Sequence, residues 1–123
     1  MQAYENGSKR LEQLGFQTNE KMLKNLSEAY ENAALSIGAC GIIPCGKVMH
    51  KAQKNGIECV YRDSFHAAFG IGRYLLALTW YAFLTGNSID ENAFNDFDEV
   101  VSKDERKIAI QTVNEIVKEK KLC

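Results

Sequence analysis

Asp63 and His66, three residues apart in Asp63-Ser64-Phe65-His66, are the residues of this chain best suited to chemistry. An imidazole can take the proton of a hydroxyl nucleophile, and a carboxylate beside it fixes the ring tautomer and stabilises the imidazolium that forms. In a turn, both side chains project from one loop with the carboxylate near the ring. The same spacing also arises in helix caps and surface pairs, so it does not by itself make the pair catalytic. The pair is followed at once by Gly70-Ile71-Gly72-Arg73 and the run Tyr74-Leu75-Leu76-Ala77-Leu78-Thr79-Trp80-Tyr81, which reads as a buried helix opened by that turn.

Other chemistry-bearing residues carry weaker patterns. Cys40, Cys45, His50, Cys59 and His66 hold enough thiolate and imidazole for zinc, yet their gaps do not reproduce a close Cys-x-x-Cys knuckle. Core packing is the alternative for the cysteines, Cys59 in particular, and a solvated surface position for His50, which has lysines around it. Gly70-Ile71-Gly72 lacks the third glycine and the spaced acid of a dinucleotide site, and flexibility at a helix start explains it. Tyr74, Trp80 and Tyr81 at helical spacing read as core and sheet contacts. Arg73 at a helix start calls for a carboxylate partner, with Asp63 or Glu99 as candidates.

The elements that position these residues follow from periodicity. Met22, Leu23, Leu26, Ala29, Tyr30, Ala33, Ala34 and Ile37 predict an amphipathic helix over 18–37 with one buried face and Gly38 as its stop. Residues 40–44 read as a short buried strand ended by the single proline, Pro44, and 46–55 as a short helix with Val48, Met49 and Ala52 inward. After the Asn55-Gly56 turn, 57–61 read as a second strand leading into the Asp63 loop, and 70–84 as a helix buried on more than one face and stopped by Gly86. Phe94 and Phe97 pin an irregular segment over 87–101. Ser102-Lys103-Asp104-Glu105 is a capping box, and Ile108, Ala109, Thr112, Val113, Ile116 and Val117 form the buried stripe of a last helix, with Lys118, Lys120 and Lys121 near its end. Helix, strand, helix, strand, helix, helix is the order of the second half of an α/β domain with a short parallel sheet. Two short strands cannot form that sheet unaided, which points to a partner outside the 123 residues.

Composition narrows the function classes. The chain is 46% hydrophobic and 25% charged, which suits one globular unit. Fifteen lysines and arginines against sixteen acids give a net charge of −1, which argues against nucleic acid and against a polybasic membrane patch. The polar first ten residues lack a secretory pattern, and the apolar run inside 74–84 is too short to cross a bilayer, so the expected location is the cytoplasm and the expected state of the cysteines is reduced.

The block Tyr61 to His66, then Gly70 to Tyr81, then Leu84-Thr85-Gly86, closely resembles the C-terminal segment of the SGNH/GDSL hydrolase superfamily. It is most similar to a bacterial branch of largely uncharacterised domains whose histidine loop is followed by a glycine-arginine-tyrosine helix ending in threonine-glycine. Ile42-Ile43-Pro44-Cys45-Gly46 resembles the strand and turn that precede that block, whereas Ala67-Ala68 replaces a larger apolar and a small hydroxyl residue. The resemblance implies a flavodoxin-like three-layer α/β/α sandwich and hydrolysis of an ester or acetyl group. His66 would be the general base and Asp63 its orienting carboxylate, and no cofactor or metal is needed for an acyl-enzyme route.

The Gly-Asp-Ser nucleophile block and the Gly-x-Asn-Asp oxyanion block of that superfamily have no match here. The chain therefore corresponds to about the last half of such a domain, 1–123 forming one partial unit that begins downstream of the nucleophile. Losing one oxyanion donor costs ~10²- to 10³-fold in turnover, so the chain by itself is expected to be inactive toward the small ester that a completed domain would take. The alternative to a hydrolase is a non-enzymatic remnant that binds a partner chain, or itself, through an exposed sheet face at 40–44 and 57–61. A small zinc-binding domain is the third reading.

Overall fold

The computed structural model describes residues 4–63 and 65–118. Five helices follow one another: α1 (Lys9–Gln13), α2 (Asn19–Ile37), α3 (Cys45–Lys54), α4 (Ile71–Thr85) and α5 (Lys103–Val117). The four helices expected from periodicity are present. Thr18, expected as the first residue of α2, is its N-cap, Oγ1 accepting the Lys21 N–H at 3.2 Å, and Gly38 and Gly86 adopt positive φ as the expected stops of α2 and α4. The capping box of α5 is complete, Ser102 Oγ accepting from Glu105 N at 3.1 Å and Glu105 Oε2 from Ser102 N at 2.8 Å. Of the lysines expected to end α5, Lys118 is its C-cap, and Lys120 and Lys121 lie outside the described residues. Helix α1 went unanticipated because a five-residue helix has no period to detect. Ser8 caps it, and Leu11 is its one buried side chain.

No strand occurs among the described residues, which overturns the parallel sheet and with it the flavodoxin-like α/β/α half-sandwich. The segments taken for strands show why. Over 57–61 the buried side chains are Ile57 and Val60, spaced three apart, while Glu58 and Cys59 face solvent, so the alternation of a half-buried strand is missing. Residues 40–44 are spent in reaching α3, with Pro44 at its N-cap and the Cys45 N–H bonded to Ile43 O. Neither segment lies beside a strand among the described residues, and short strands without such a neighbour do not persist. The one antiparallel bridge joins Tyr61 to Ala67 across the Asp63 loop.

The core lies where α3, α4 and α5 pack against one another. Val48, Met49 and Ala52 face inward from α3 as expected, meeting Leu75, Leu78 and Phe83 of α4 and Ala109 and Val113 of α5. Thr112, fully buried, accepts a hydrogen bond from Asn55 Nδ2 at 2.8 Å, so its hydroxyl is not stranded. The 87–101 segment is indeed held by rings: Tyr74, Phe94 and Phe97 cluster with centroids 5.1 to 6.5 Å apart. Ile89, 1% exposed, plugs it into the core, and Asn92 accepts from Tyr74 Oη.

Helix α2 departs from the expected single buried face, for none of its nineteen residues is buried. Leu35 is 81% exposed, whereas Leu75 on α4 is completely enclosed. Truncation at the two leucines separates the units: Leu75→Ala should cost about 2–5 kcal/mol in urea unfolding. Leu35→Ala should change stability by no more than about 0.5 kcal/mol.

Candidate functional site

The Asp63 loop is closed at its base before any side chain acts. Arg62 N donates to His66 O at 3.0 Å and Ala68 N to Val60 O at 2.8 Å, so the chain doubles back into a bracket whose ends are buried at Val60 and Ala68. Helix α4 then lies directly on that bracket. A Cβ on Gly72 would stand 2.5 Å from the Val60 carbonyl oxygen and 3.3 Å from Ala68 Cβ, so only glycine permits the approach. Ala68, the departure from the resembled pattern, is thus a small side chain at a crowded contact. Gly70, with φ 65°, sits 2.8 Å in the same sense from the Glu99 carbonyl. Gly70 thus uses glycine's conformational freedom at the helix start, as read from sequence, and Gly70 and Gly72 both serve close packing besides.

The structure brings Asp63 and His66 together. Asp63 Oδ1 accepts the backbone N–H of Phe65 at 2.9 Å and of His66 at 2.8 Å, and Oδ2 lies 2.7 Å from His66 Nδ1. The two backbone donors, and after them the His66 ring, hold the Asp63 carboxyl well below the usual carboxylate range. An ionised carboxylate can only accept, so Nδ1 carries the hydrogen and the neutral ring presents a bare Nε2. His66 is about half exposed, and the Phe65 ring rests against it with centroids 4.4 Å apart. The arrangement fixes the tautomer of a half-exposed imidazole, which is the geometry that a general base would need.

The serines whose hydrogen bonds are described make them away from His66. Ser8 and Ser102 cap helices, Ser36 donates to Ala33 O and Ser88 to Asp90, while the position of Ser64 lies outside the described residues. No metal cage is formed, since no group of three or more histidines, cysteines, aspartates or glutamates is gathered among the described residues. Cys59 is exposed and donates to Tyr61 O, correcting its placement in the core. Cys45 is partly enclosed, and burial raises its thiol pKa. His50 is less solvated than expected. Its ring lies 3.9 Å from Glu20, and burial, followed by the Lys54 ammonium, pulls it below the ordinary imidazole value. Trp80 and Tyr81, expected as core and sheet contacts, are each about half exposed, and Tyr74 alone of the three is buried.

The residue that sequence reasoning missed is Asp98. Its carboxylate accepts the Gly70 N–H and pairs with Arg73, so neither Asp63 nor Glu99 is the partner of that arginine. The Gly70 donor first, and then the Arg73 charge, lower the Asp98 pKa. Arg73 and Arg62 each set a guanidinium 4.5 Å from the Phe69 ring centroid, which ties the end of the loop to the start of α4. No sequence spacing links residue 98 to residue 70. A cleft of about 460 Å³ opens beside this contact, walled by Tyr74, Tyr81, Phe94 and Phe97.

Comparison with known proteins adds the context. A family model described as a domain of unknown function, DUF4886, matches residues 2–115. A DUF4886 family protein from Bacteroides uniformis ATCC 8492, solved by crystallography at 1.50 Å, is 27% identical and superposes with a TM-score of 0.80 over 99% of this chain. This chain spans 47% of that protein's length. No curated protein matches.

Two substitutions test the geometry. Gly72→Ala, favourable in an open helix, should instead destabilise by about 1–3 kcal/mol and move the amide resonances of 60–68, because its methyl meets backbone that cannot swing aside. Asp63→Asn should turn the neutral His66 ring to the Nε2–H tautomer, read from imidazole ¹⁵N shifts, because the amide now offers a donor to Nδ1. The Asp63 pKa is depressed on folding, so its contribution to stability is complete above the ordinary carboxylate range near about pH 4 and is lost as the pH falls through the lower folded value. Asp63→Asn should remove that part of the acid dependence.

Proposed function

The chain belongs to the DUF4886 family, and on that premise we propose that it carries the general base, His66, and the orienting carboxylate, Asp63, of a serine ester hydrolase of the SGNH type. The seryl nucleophile and the oxyanion hole belong, in this reading, to polypeptide outside the 123 residues. One observation supports it above the others: Asp63 Oδ2 meets His66 Nδ1 at 2.7 Å while two backbone donors immobilise the same carboxylate, and the imidazole is about half exposed. A cap or chance surface pair would not require the ring to be so oriented. The resemblance of the Tyr61–Gly86 block to the histidine segment of those hydrolases supports the same assignment, and no cofactor enters it.

The chemistry is balanced by His66. The serine oxygen attacks the ester carbonyl carbon as its proton passes to Nε2, and Asp63 stabilises the imidazolium across the Nδ1 hydrogen bond. Collapse of the tetrahedral intermediate breaks the bond to the alcohol, which leaves with the proton from Nε2. Water then repeats the sequence on the acyl-enzyme and releases the acid. A short acyl ester is the substrate class.

The test joins this chain, in the order of the Bacteroides uniformis sequence, to the portion of that protein without a counterpart here. The chain by itself should not raise p-nitrophenyl acetate hydrolysis above background, and the joined protein should. In the joined protein His66→Ala should lower kcat by about 10³-fold or more, and Asp63→Asn by about 10²- to 10⁴-fold. Turnover that survives His66→Ala unchanged would sink the assignment.

A further inference from the structure

A broad apolar cleft that includes neither Asp63 nor His66 in its lining lies between α2, the 39–47 segment and Trp80. Leu23, Leu26, Tyr30, Ala33 and Ile37 recur along one side of α2 at helical spacing and wall this cleft of about 630 Å³. Its opposite wall is Ile42, Ile43 and Pro44 together with the Trp80 ring from α4. Tyr30, Ile37 and Trp80 are 61%, 78% and 52% exposed, which is a heavy load of open aromatic and aliphatic surface for a chain of this size. Polar residues of both signs border it, Lys47 pairing with Glu31 across the cleft's lining. An apolar centre within such a rim is the anatomy of a protein interface.

We propose that this cleft is the seat of the polypeptide that makes up the remainder of the family's longer chain, docked on the Leu26–Tyr30–Ile37 side of α2 and against Trp80. The length of the family structure is the argument for that occupant. It matches 99% of this chain, α2 included, at a TM-score of 0.80, yet the matched part is 47% of its own chain. A relative thus holds α2 in this place within a chain more than twice as long. Helix α2 has no buried residue, Met22, Leu23 and Ala34 being only partly covered, so it draws little from apolar packing in the arrangement seen here, and amphipathic helices owe most of their stability to such packing. Covering the cleft supplies it. The occupant is therefore an apolar protein surface complementary to the cleft, carried on the same polypeptide or on a separate one. The inference rests on the hydrolase reading only in placing further polypeptide beside this chain, and it makes no use of ester chemistry.

Trp80, the single tryptophan, reports from the cleft wall. In a joined protein whose Bacteroides uniformis portion has its tryptophans replaced by phenylalanine, Trp80 emission should shift to the blue relative to this chain by itself. Amide exchange within α2 should slow by about 10²-fold or more. Tyr30→Asp in the joined protein should return both readings to those of this chain, leaving exchange in α3, α4 and α5 unchanged. Leu35→Asp, off the cleft wall, should leave the shift and the protection in place. Trp80 emission and α2 exchange that do not change on joining would overturn the proposal. So would a concentration-dependent blue shift of this chain by itself with dimers in sedimentation, since a second copy would then fill the cleft. The hydrolase reading fails separately: docking without ester turnover removes the chemistry and keeps the interface, and turnover without a Trp80 shift does the reverse.

Discussion

The contact between Gly72 and the Val60 carbonyl is the constraint on which the rest of the arrangement depends. Helix α4 has to lie against the 60–68 bracket with no room for a methyl group between them, and this fixes the bracket against the most buried element of the core. A loop that carries Asp63 and His66 on exposed positions would otherwise have little to locate it. Because its two ends are Val60 and Ala68, both enclosed, the loop is exposed only at its tip. Rigidity at the base and access at the tip are the two properties that a loop-borne general base requires.

Two carboxylates then divide the polar work near the start of α4. Asp98 satisfies the Gly70 N–H, which would be an orphan at the helix start, and neutralises Arg73, so it anchors the 87–101 segment to the helix. Asp63 spends one oxygen on the backbone of its own turn and turns the other to His66. Neither is free to take the other's place. Arg62 and Arg73 meet at Phe69, and Asp63 is approached by Arg62, not by Arg73. Arg62 Nε stands 4.0 Å from Asp63 Oδ2, a distance at which the imidazole at 2.7 Å is the dominant partner.

What the sequence makes legible here is whatever local chemistry decides. Thr18, Gly38, Ser102 and Gly86 mark helix ends through hydrogen bonds or φ values that depend on near neighbours, and each marks the right place. The Asp63–His66 contact was legible for the same reason, being closed within a four-residue turn. Strands are decided by remote pairing, and 40–44 and 57–61 carry β-prone residues without a partner to pair with, so composition misled. Asp98 with Gly70, and Cys59 facing solvent, were illegible because tertiary approach alone sets them. The same limit applies to α2: its apolar stripe was readable, but what that stripe faces depends on surface outside the helix.

Helix α2 nevertheless has a defined place, and the forces that give it one differ in kind from those of the core. Glu20 reaches Lys54 at 3.2 Å and His50 at 3.9 Å, Glu31 reaches Lys47 at 3.7 Å, and Asn6 Oδ1 accepts the Asn19 N–H at 2.7 Å. Exposed ion pairs of this sort contribute about 0–1 kcal/mol each and are screened by salt, against several kcal/mol for a single enclosed leucine of α4. They choose an orientation more than they secure it. The α3–α4–α5 unit owes its geometry to apolar burial, whereas α2 is aligned by charge along α3 with its apolar stripe left over. That division places the chemistry-bearing loop on the self-sufficient part of the molecule and the unsatisfied surface on the part that polar contacts merely hold in position.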